Sequence, residues 1–258
     1  MILDEIIKNK QQEVSVLKEN FKDKDIEQLI VGLPKSRDFL KAFSKGKFSL
    51  IAEIKKSSPS AGLIRKDFEP ISLAKVYEES GASAISVLTD EKYFQGKLEY
   101  IKQAKESTTI PVLRKEFIVD EAQVYESKIA GADAVLLIAR ILKDDELINL
   151  LALTEKLGMQ ALVEVHNADE VQRVLKTNAR IIGINNRDLD TLKISLKTTI
   201  NLLKQFPGLK DRVVISESGI QNKKDVQMLR DVGVDGMLVG EAILKSASVP
   251  DKIRELLR

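Results

Sequence analysis

The sequence contains no cysteine, no tryptophan and a single histidine, and only 5% of its 258 residues are aromatic. The absence of cysteine excludes disulfides, a thiol nucleophile and thiolate metal ligands. The net charge is +2, with no dense basic stripe, so nothing indicates nucleic-acid binding. No apolar run approaches the roughly 20 residues of a membrane span, and the first residues include acids, unlike a signal peptide. These absences predict a cytoplasmic protein that binds neither nucleic acid nor membrane.

Eight apolar runs alternate with amphipathic stretches along the chain. The runs have the length and flanks of buried parallel strands and lie at 48–55, 84–88, 110–115, 134–138, 161–165, 181–185, 213–217 and 236–240. Stretches rich in Lys, Glu, Leu and Ala separate nearly all of them, for example 71–80, 119–130, 144–157 and 225–232. Eight such units in about 250 residues predict an α/β fold, a (β/α)8 TIM barrel, with a doubly wound open sheet as the alternative.

Residues 1–47 precede the first run and are predicted to form helices at 2–19, 25–31 and 37–43. Such helices are too short and amphipathic to fold alone, so we expect this N-terminal extension to pack on the barrel and residues 1–258 to form one domain. The segment 56–70 is longer than a typical βα loop. It is a candidate lid, and an ordinary solvated loop is the alternative.

Polar residues stand at the ends of several strand-like runs: Glu53, Lys55, Lys115, Glu164, Asn185, Arg187 and Glu217. Because side chains alternate along a strand, all of them can point into one barrel at its carboxyl end, where barrel enzymes carry their active sites. The alternative is an ion-pair network that fills the barrel mouth. An active site is favoured, because burying many charges rarely stabilises a protein more than apolar packing does.

Two glycines indicate where a phosphate would bind. Gly219 and Gly240 follow the seventh and eighth runs, the place where many barrels bind phosphate through backbone N–H groups. Arg187 and the two lysines would add positive charge for an anionic substrate. One such glycine alone is weak support, since turns use glycine for its backbone freedom. Together they predict a phosphorylated small-molecule substrate.

Strings at these strand ends resemble the indole-3-glycerol phosphate synthase family, over essentially the whole chain. The strings are AEIKKSSPS (52–60), ISVLT (85–89), FQG (94–96), PVLRK (111–115), LVEVH (162–166), GINNRDL (183–189) and SESGI (216–220). The early helices also resemble the family's amino-terminal extension. The resemblance implies a carbon-carbon lyase of tryptophan biosynthesis that needs no metal and no cofactor.

The reaction that the resemblance implies starts from 1-(2-carboxyphenylamino)-1-deoxyribulose 5-phosphate. An aromatic carbon attacks the ribulose carbonyl, the carboxylate leaves as carbon dioxide, and a hydroxyl leaves as water to give the indole. This chemistry needs one acid at the carbonyl oxygen, another at the leaving hydroxyl, and a base for the proton lost on aromatisation.

The resemblance also assigns roles to the strand-end residues. Lys115 is implied to be the general acid for ring closure, and Lys55 to bind the substrate's acidic groups or to donate the proton for dehydration. Glu164 and Glu53 are the candidate bases, with the division between them open. The residues implied to position hydroxyls and the lysines are Glu217 and Asn185.

The other candidates are expected to bind the substrate. Arg187 would face an anionic or hydroxyl portion, and Phe94 and Phe117 would wall the anthranilate ring, although ordinary packing is the alternative for both aromatics. The residues expected near the phosphate and the lid are Ser58, Ser218, Gly219 and Gly240. The single histidine, His166, is expected to support the site rather than to act in catalysis.

One position departs from the family's usual sequence. The family has Asp after the lysine of strand three, whereas this chain has Glu116, which alternation places on the strand face opposite Lys115. The longer carboxylate puts the rate and the orientation of the lysine in question rather than the reaction class.

Three other functions are weighed against this one. A phosphosugar isomerase such as phosphoribosylanthranilate isomerase usually has a cysteine at the end of strand one, and this chain has none. A barrel that only binds a phosphorylated ligand would have no reason to keep two lysines and several glutamates in its mouth. A barrel engineered for another reaction would not keep the whole set. A monomer is expected, and an oligomer stays open.

Overall fold

The computed structural model describes residues 2–22, 24–43, 48–65 and 67–258. Within these ranges, eight parallel strands close into a barrel: β1 Ser49–Ile54, β2 Ala84–Leu88, β3 Val112–Lys115, β4 Ala134–Ile138, β5 Gln160–Val165, β6 Ile181–Asn185, β7 Val213–Glu217 and β8 Gly236–Val239. Strand β1 pairs with both β2 and β8, which closes the ring. The predicted (β/α)8 barrel is confirmed, and the open doubly wound sheet is excluded.

Helices surround the barrel and precede it. In the described part of the chain they are α1 Ile2–Phe21, α2 Ile26–Ile30, α3 Pro70–Glu79, α4 Glu91–Phe94, α5 Glu99–Ser107, α6 Glu121–Ile129, α7 Asp144–Lys156, α8 Ala168–Val174, α9 Lys197–Gln205, α10 Lys223–Asp231, α11 Glu241–Leu244 and α12 Val249–Leu257. Short 3-10 helices occupy Leu40–Phe43, Ala139–Ile141 and Pro207–Asp211. No helix among the described residues is both long and apolar enough to cross a membrane.

Alternation along the strands divides the core into two layers. The outward side chains Leu50, Ala52 and Ile54 pack in the layer between the barrel and its helices. The inward side chains, such as Ile51 and Leu162, form a separate core inside the barrel. Since both faces of each strand are covered, the strands are apolar almost throughout.

The amino end of the barrel is closed by the segment that precedes β1. Phe39 and Phe43 pack edge to face at 5.2 Å between ring centroids and belong to the inner core. The Leu40 amide donates to Gln160 Oε1 at 2.7 Å, and the Arg37 amide donates to Asp133 Oδ1 at 2.5 Å. Because those amides bond to the barrel, the helix predicted at 37–43 is wrong, and only its last four residues form a 3-10 turn.

The N-terminal helices contact a helix of the barrel. Both α1 and α2 contact α6, and α1 buries Leu3, Ile6, Lys10 and Val14. Residues 1, 23 and 44–47 of the predicted extension, and residue 66 of the predicted loop 56–70, lie outside the described residues.

The loop after β1 contains structure that the sequence pattern did not predict. Ser57–Ser58 pairs antiparallel with Gly62–Leu63, so a short β-hairpin stands beside the barrel mouth. The two serines are buried, whereas Gly62 and Leu63 are exposed. The hairpin therefore has one side against the protein and one side in solvent.

Candidate active site

All of the predicted site residues line one pocket at the carboxyl end of the barrel. Strand ends supply Glu53, Lys55, Lys115, Glu164, Asn185 and Glu217, and the loops after the strands supply Ser58, Phe94, Phe117, Arg187, Ser218, Gly219 and Gly240. The strand-end residues and the loop residues thus lie around one pocket, and their chemical roles are taken up below as proposals.

Lys115 lies at the centre of the charged part of the pocket. Its Nζ is 3.5 Å from Glu164 Oε2 and 3.5 Å from Glu217 Oε2. Burial alone would lower the pKa of the Lys115 ammonium, but Glu164, Glu217 and Glu53 more than offset it and raise the pKa above its ordinary value. Lys115 therefore carries its proton at neutral pH.

Glu53 on β1 and Lys55, just beyond the end of that strand, form a second close ion pair. Lys55 Nζ lies 2.5 Å from Glu53 Oε1, and Glu53 is 4% exposed. Burial would raise the pKa of Glu53, yet the cations Lys55 and Lys115 outweigh burial and hold that pKa below its ordinary value. Glu53 is therefore ionised at neutral pH.

Hydrogen bonds fix the orientation of Glu164. Asn185 Nδ2 donates to Glu164 Oε1 at 3.1 Å, and Asn185 Oδ1 accepts from the Arg187 amide at 3.0 Å. One Glu164 oxygen thus faces an amide donor while the other faces Lys115. The carboxylate is held between the end of β6 and the lysine of β3.

Glu217 occupies space that a glycine leaves open. A Cβ atom built on Gly183 would lie 2.0 Å from Glu217 Oε1, so any larger residue there would displace the carboxylate. Burial raises the pKa of Glu217 to about 8, and the charges of Glu164 and Glu53 add to this while Lys115 opposes it. Burial therefore favours the protonated form of the Glu217 carboxyl.

The rim after β7 and β8 brings backbone close to the pocket. Ser218 and Gly219 have φ angles of 66° and 85°, and a Cβ on Gly219 would meet Ile194 Cγ2 at 2.4 Å. The left-handed Ser218 is costly for a non-glycine residue, as is common beside functional sites. Arg187 reaches this rim, with its guanidinium 4.0 Å from a Glu241 oxygen.

Part of the pocket lining is apolar. Phe94 and Phe117 face each other with ring centroids 6.1 Å apart and an interplanar angle of 38°. The sequence interpretation missed the other apolar lining residues, among them Ile2, Leu3, Ile6, Leu189, Leu192 and Ile194. The apolar stripe of α1 was visible in the sequence, but nothing local showed that it would reach the mouth of the barrel.

Two residues outside the acid-base group lie where they were expected. His166 Nδ1 is 2.7 Å from the Asn185 carbonyl oxygen, so the ring braces the end of β6. Glu116 points away from the barrel interior, where Thr89 Oγ1 donates to its Oε2 at 2.7 Å. The predicted opposite facing of Lys115 and Glu116 is confirmed.

Comparison with known families gives a match over almost the whole chain. The family model of indole-3-glycerol phosphate synthase matches residues 3–256. The chain belongs to the indole-3-glycerol phosphate synthase family. An indole-3-glycerol phosphate synthase of Desulforamulus reducens is 48% identical over 258 residues, covering 100% of this chain and 97% of the relative. That of Acetivibrio thermocellus is 45% identical, covering 99% of this chain and 98% of the relative.

Solved structures of other proteins share the fold at low identity. The 3-hexulose-6-phosphate synthase of Salmonella typhimurium superimposes with a TM-score of 0.65 at 17% identity, over 81% of this chain and 96% of that one. The KGPDC of Streptococcus mutans gives a TM-score of 0.64 at 13% identity, over 81% of this chain and 95% of that one. At such identities the likeness supports the barrel fold alone.

Proposed function

We propose that the pocket converts 1-(2-carboxyphenylamino)-1-deoxyribulose 5-phosphate to indole-3-glycerol phosphate, with loss of carbon dioxide and water. The chain is a carbon-carbon lyase of tryptophan biosynthesis by its family membership. The observation that carries the proposed mechanism is a protonated lysine set between two carboxyl groups, beside a second lysine-glutamate pair. Ring closure, decarboxylation and dehydration need several acids and bases in one site, and this arrangement supplies them.

Lys115 is the acid for ring closure. As the aromatic carbon bonds to the carbonyl carbon, the carbonyl oxygen takes a proton from Lys115 Nζ and becomes a hydroxyl. The carboxylate then leaves as carbon dioxide, and its bonding electrons restore the aromatic ring. A buried ammonium is suited to this step because it both donates the proton and stabilises the developing oxyanion.

Lys55 and Glu53 serve the dehydration. The hydroxyl formed in the first step leaves as water with a proton from Lys55 Nζ. Glu53 Oε1 lies 2.5 Å from that nitrogen. A base must then accept the proton lost as the five-membered ring becomes aromatic. Glu53 is ionised, and Glu164 is a second candidate, with its Oε2 3.5 Å from Lys115 Nζ. Replacing each of them by glutamine shows which of the two carboxylates is the base.

The remaining residues hold the substrate. The anthranilate ring lies against the wall of Phe94 and Phe117, and Asn185 and Glu217 orient hydroxyls and the lysines. The phosphate lies at the rim, on the backbone of Gly219 and Gly240, with Arg187 and Ser218 beside it. Ser58 contributes from the hairpin after β1, which acts as the lid over the bound substrate.

Turnover tests this proposal directly. The chain contains no Trp, so indole fluorescence can be followed without background from that residue. The protein is mixed with the carboxyphenylamino deoxyribulose phosphate, and we expect an indole signal with release of one carbon dioxide per product. Binding of the substrate without an indole signal would contradict the proposal and favour a ligand-binding barrel.

A further inference from the structure

A buried lysine lies in the amino-terminal helix, outside the pocket. Lys10 is 2% exposed and shares the inner face of α1 with Leu3, Ile6 and Val14. Its Nζ lies 2.9 Å from Asp90 Oδ2, 3.1 Å from Glu116 Oε1 and 2.5 Å from Glu13 Oε2. A lysine is almost never buried to this degree unless carboxylates pair with it. Two of these carboxylates belong to loops at the barrel mouth.

One of these carboxylates adjoins the proposed general acid. Glu116 follows Lys115 directly and is 3% exposed. Its Oε1 accepts from the Phe117 amide at 2.8 Å as well as pairing with Lys10, while its Oε2 accepts from Thr89 Oγ1 at 2.7 Å. The side chain therefore fixes the backbone between Lys115 and Phe117. Lys10 is the nearer of its two cations, since the Arg114 guanidinium lies 3.8 Å from Oε2.

The other carboxylate, Asp90, lies at the start of the short helix that carries Phe94. Asp90 is fully buried and caps α4, where its Oδ1 accepts from the Tyr93 amide at 2.7 Å. Helix α4 ends at Phe94, whose ring faces Phe117 across 6.1 Å. Because Oδ2 of the same carboxylate pairs with Lys10, one cation is bound to both loops that supply the aromatic wall.

We propose that Lys10 is a positioning residue that holds in place the two segments carrying Lys115, at the end of β3, and Phe94, at the end of α4. The inference rests on the proposed function, because it concerns the rate of that reaction. Lys10 does not reach the substrate, so it acts through Glu116 and Asp90. Without the ammonium, two buried carboxylates close to each other repel, and the loops that carry them separate. A shift of about 1 Å in a catalytic group can cost about 100-fold in rate.

Lys10→Met tests the proposal, with Lys18→Met as the matched control. Lys18 lies on the same helix and pairs with Asp120 at 2.5 Å, but its side chain is 58% exposed. We expect Lys10→Met to lower kcat by about 10-fold or more and to raise KM, at a temperature where circular dichroism shows it folded. We expect Lys18→Met to stay within about twofold of the parent. A folded Lys10→Met with the kcat of the control would overturn the proposal.

A second background separates positioning from general loss of structure. Once Lys115 is replaced by Met, only the part of the effect that runs through Phe94 remains, so adding Lys10→Met should lower the single-turnover rate by a smaller factor than it does in the parent. A further loss as large as in the parent would show that Lys10 does not act through Lys115. If Lys10→Met does not fold, Lys10→Gln, which keeps a hydrogen-bond donor, is used in both comparisons. An inactive parent would instead contradict the proposed function itself.

Discussion

At the scale of single residues, the proposed mechanism requires Lys115 both to keep its proton in the free enzyme and to donate it during the reaction. The carboxylates that keep the ammonium charged also make it reluctant to give the proton up. Developing oxyanion charge on the substrate is a further anion beside Nζ, and it competes for the same proton. In the proposed mechanism, Lys115 therefore keeps its proton in the free enzyme and releases it when the transition state forms.

Replacement of Lys115 by Met keeps the side-chain length and removes the proton. We expect kcat to fall by about 100-fold or more with the fold retained, because a general acid is lost. Lys102→Met is the control, since Lys102 lies on α5 with its side chain 73% exposed. Indole fluorescence measures both variants. Turnover of Lys115→Met within about threefold of the parent would rule out its role as the acid.

Glu164→Gln and Glu53→Gln, measured together, show which of these carboxylates is the base. Glutamine keeps the shape of Glu164 and its hydrogen bond with Asn185 while removing the charge. If Glu164 is the base, kcat falls by about 100-fold or more and KM changes less. If Glu164→Gln changes only KM, then Glu164 binds substrate and Glu53 becomes the base.

At the scale of elements, strands β6 and β7 are fitted to each other around one carboxylate. Gly183 pairs in register with Ile215 on β7, two residues before Glu217. The space above Gly183 is filled by the Glu217 side chain rather than by a side chain of its own. The position of this carboxylate is thus set by the strand beside its own.

Gly183→Ala should therefore damage catalysis more than stability. The added methyl group meets the end of a flexible side chain, so the strand can stay in place while the Glu217 carboxylate moves. We expect kcat to fall by about 10-fold to 100-fold. Gly208→Ala is the control, because its Cβ would lie no nearer than 3.7 Å to Leu175 Cδ1. Equal activity of the two variants would show that this packing is irrelevant to the reaction.

The strands and the charged part of the site were predictable because both depend on local patterns. An apolar run with a charge at its end shows the strand, its carboxyl end and the face of the charge together, as at Glu53 and Glu164. The apolar wall from α1 was not predictable. From the sequence, a lysine in an amphipathic helix is expected to be exposed to solvent. The burial of Lys10 depends on Asp90 and Glu116, which lie far along the sequence.

At the scale of the whole molecule, Glu217 links the site to stability. Its carboxyl has a folded pKa of about 8, above the ordinary value of 4.5. A raised pKa favours the folded state fully below the ordinary value, and this contribution is lost as the pH rises through the folded value. The parent protein should therefore lose stability from this group between about pH 4.5 and pH 8.

Glu217→Gln should remove that pH dependence. We expect its melting temperature, relative to the parent, to rise by about 3 °C or more between about pH 5 and about pH 9. Thermal unfolding of both proteins in the same buffers checks this, since all other titrating groups are shared. A difference that stays constant with pH would show that Glu217 does not hold its proton in the folded protein.

The segment before β1 contacts both ends of the barrel. Phe39 and Phe43 close its amino end, and α1 lines the pocket at its carboxyl end. These residues are made before the barrel strands, and their partners are made much later. At translation rates of about 5–20 residues per second, Glu116 emerges about 5–20 s after Lys10. The Gln160 side chain, which accepts from Leu40, emerges later still. This segment is therefore made before its partners but packs only after them, and the apolar stripe of α1 must be tolerated in solvent during that interval.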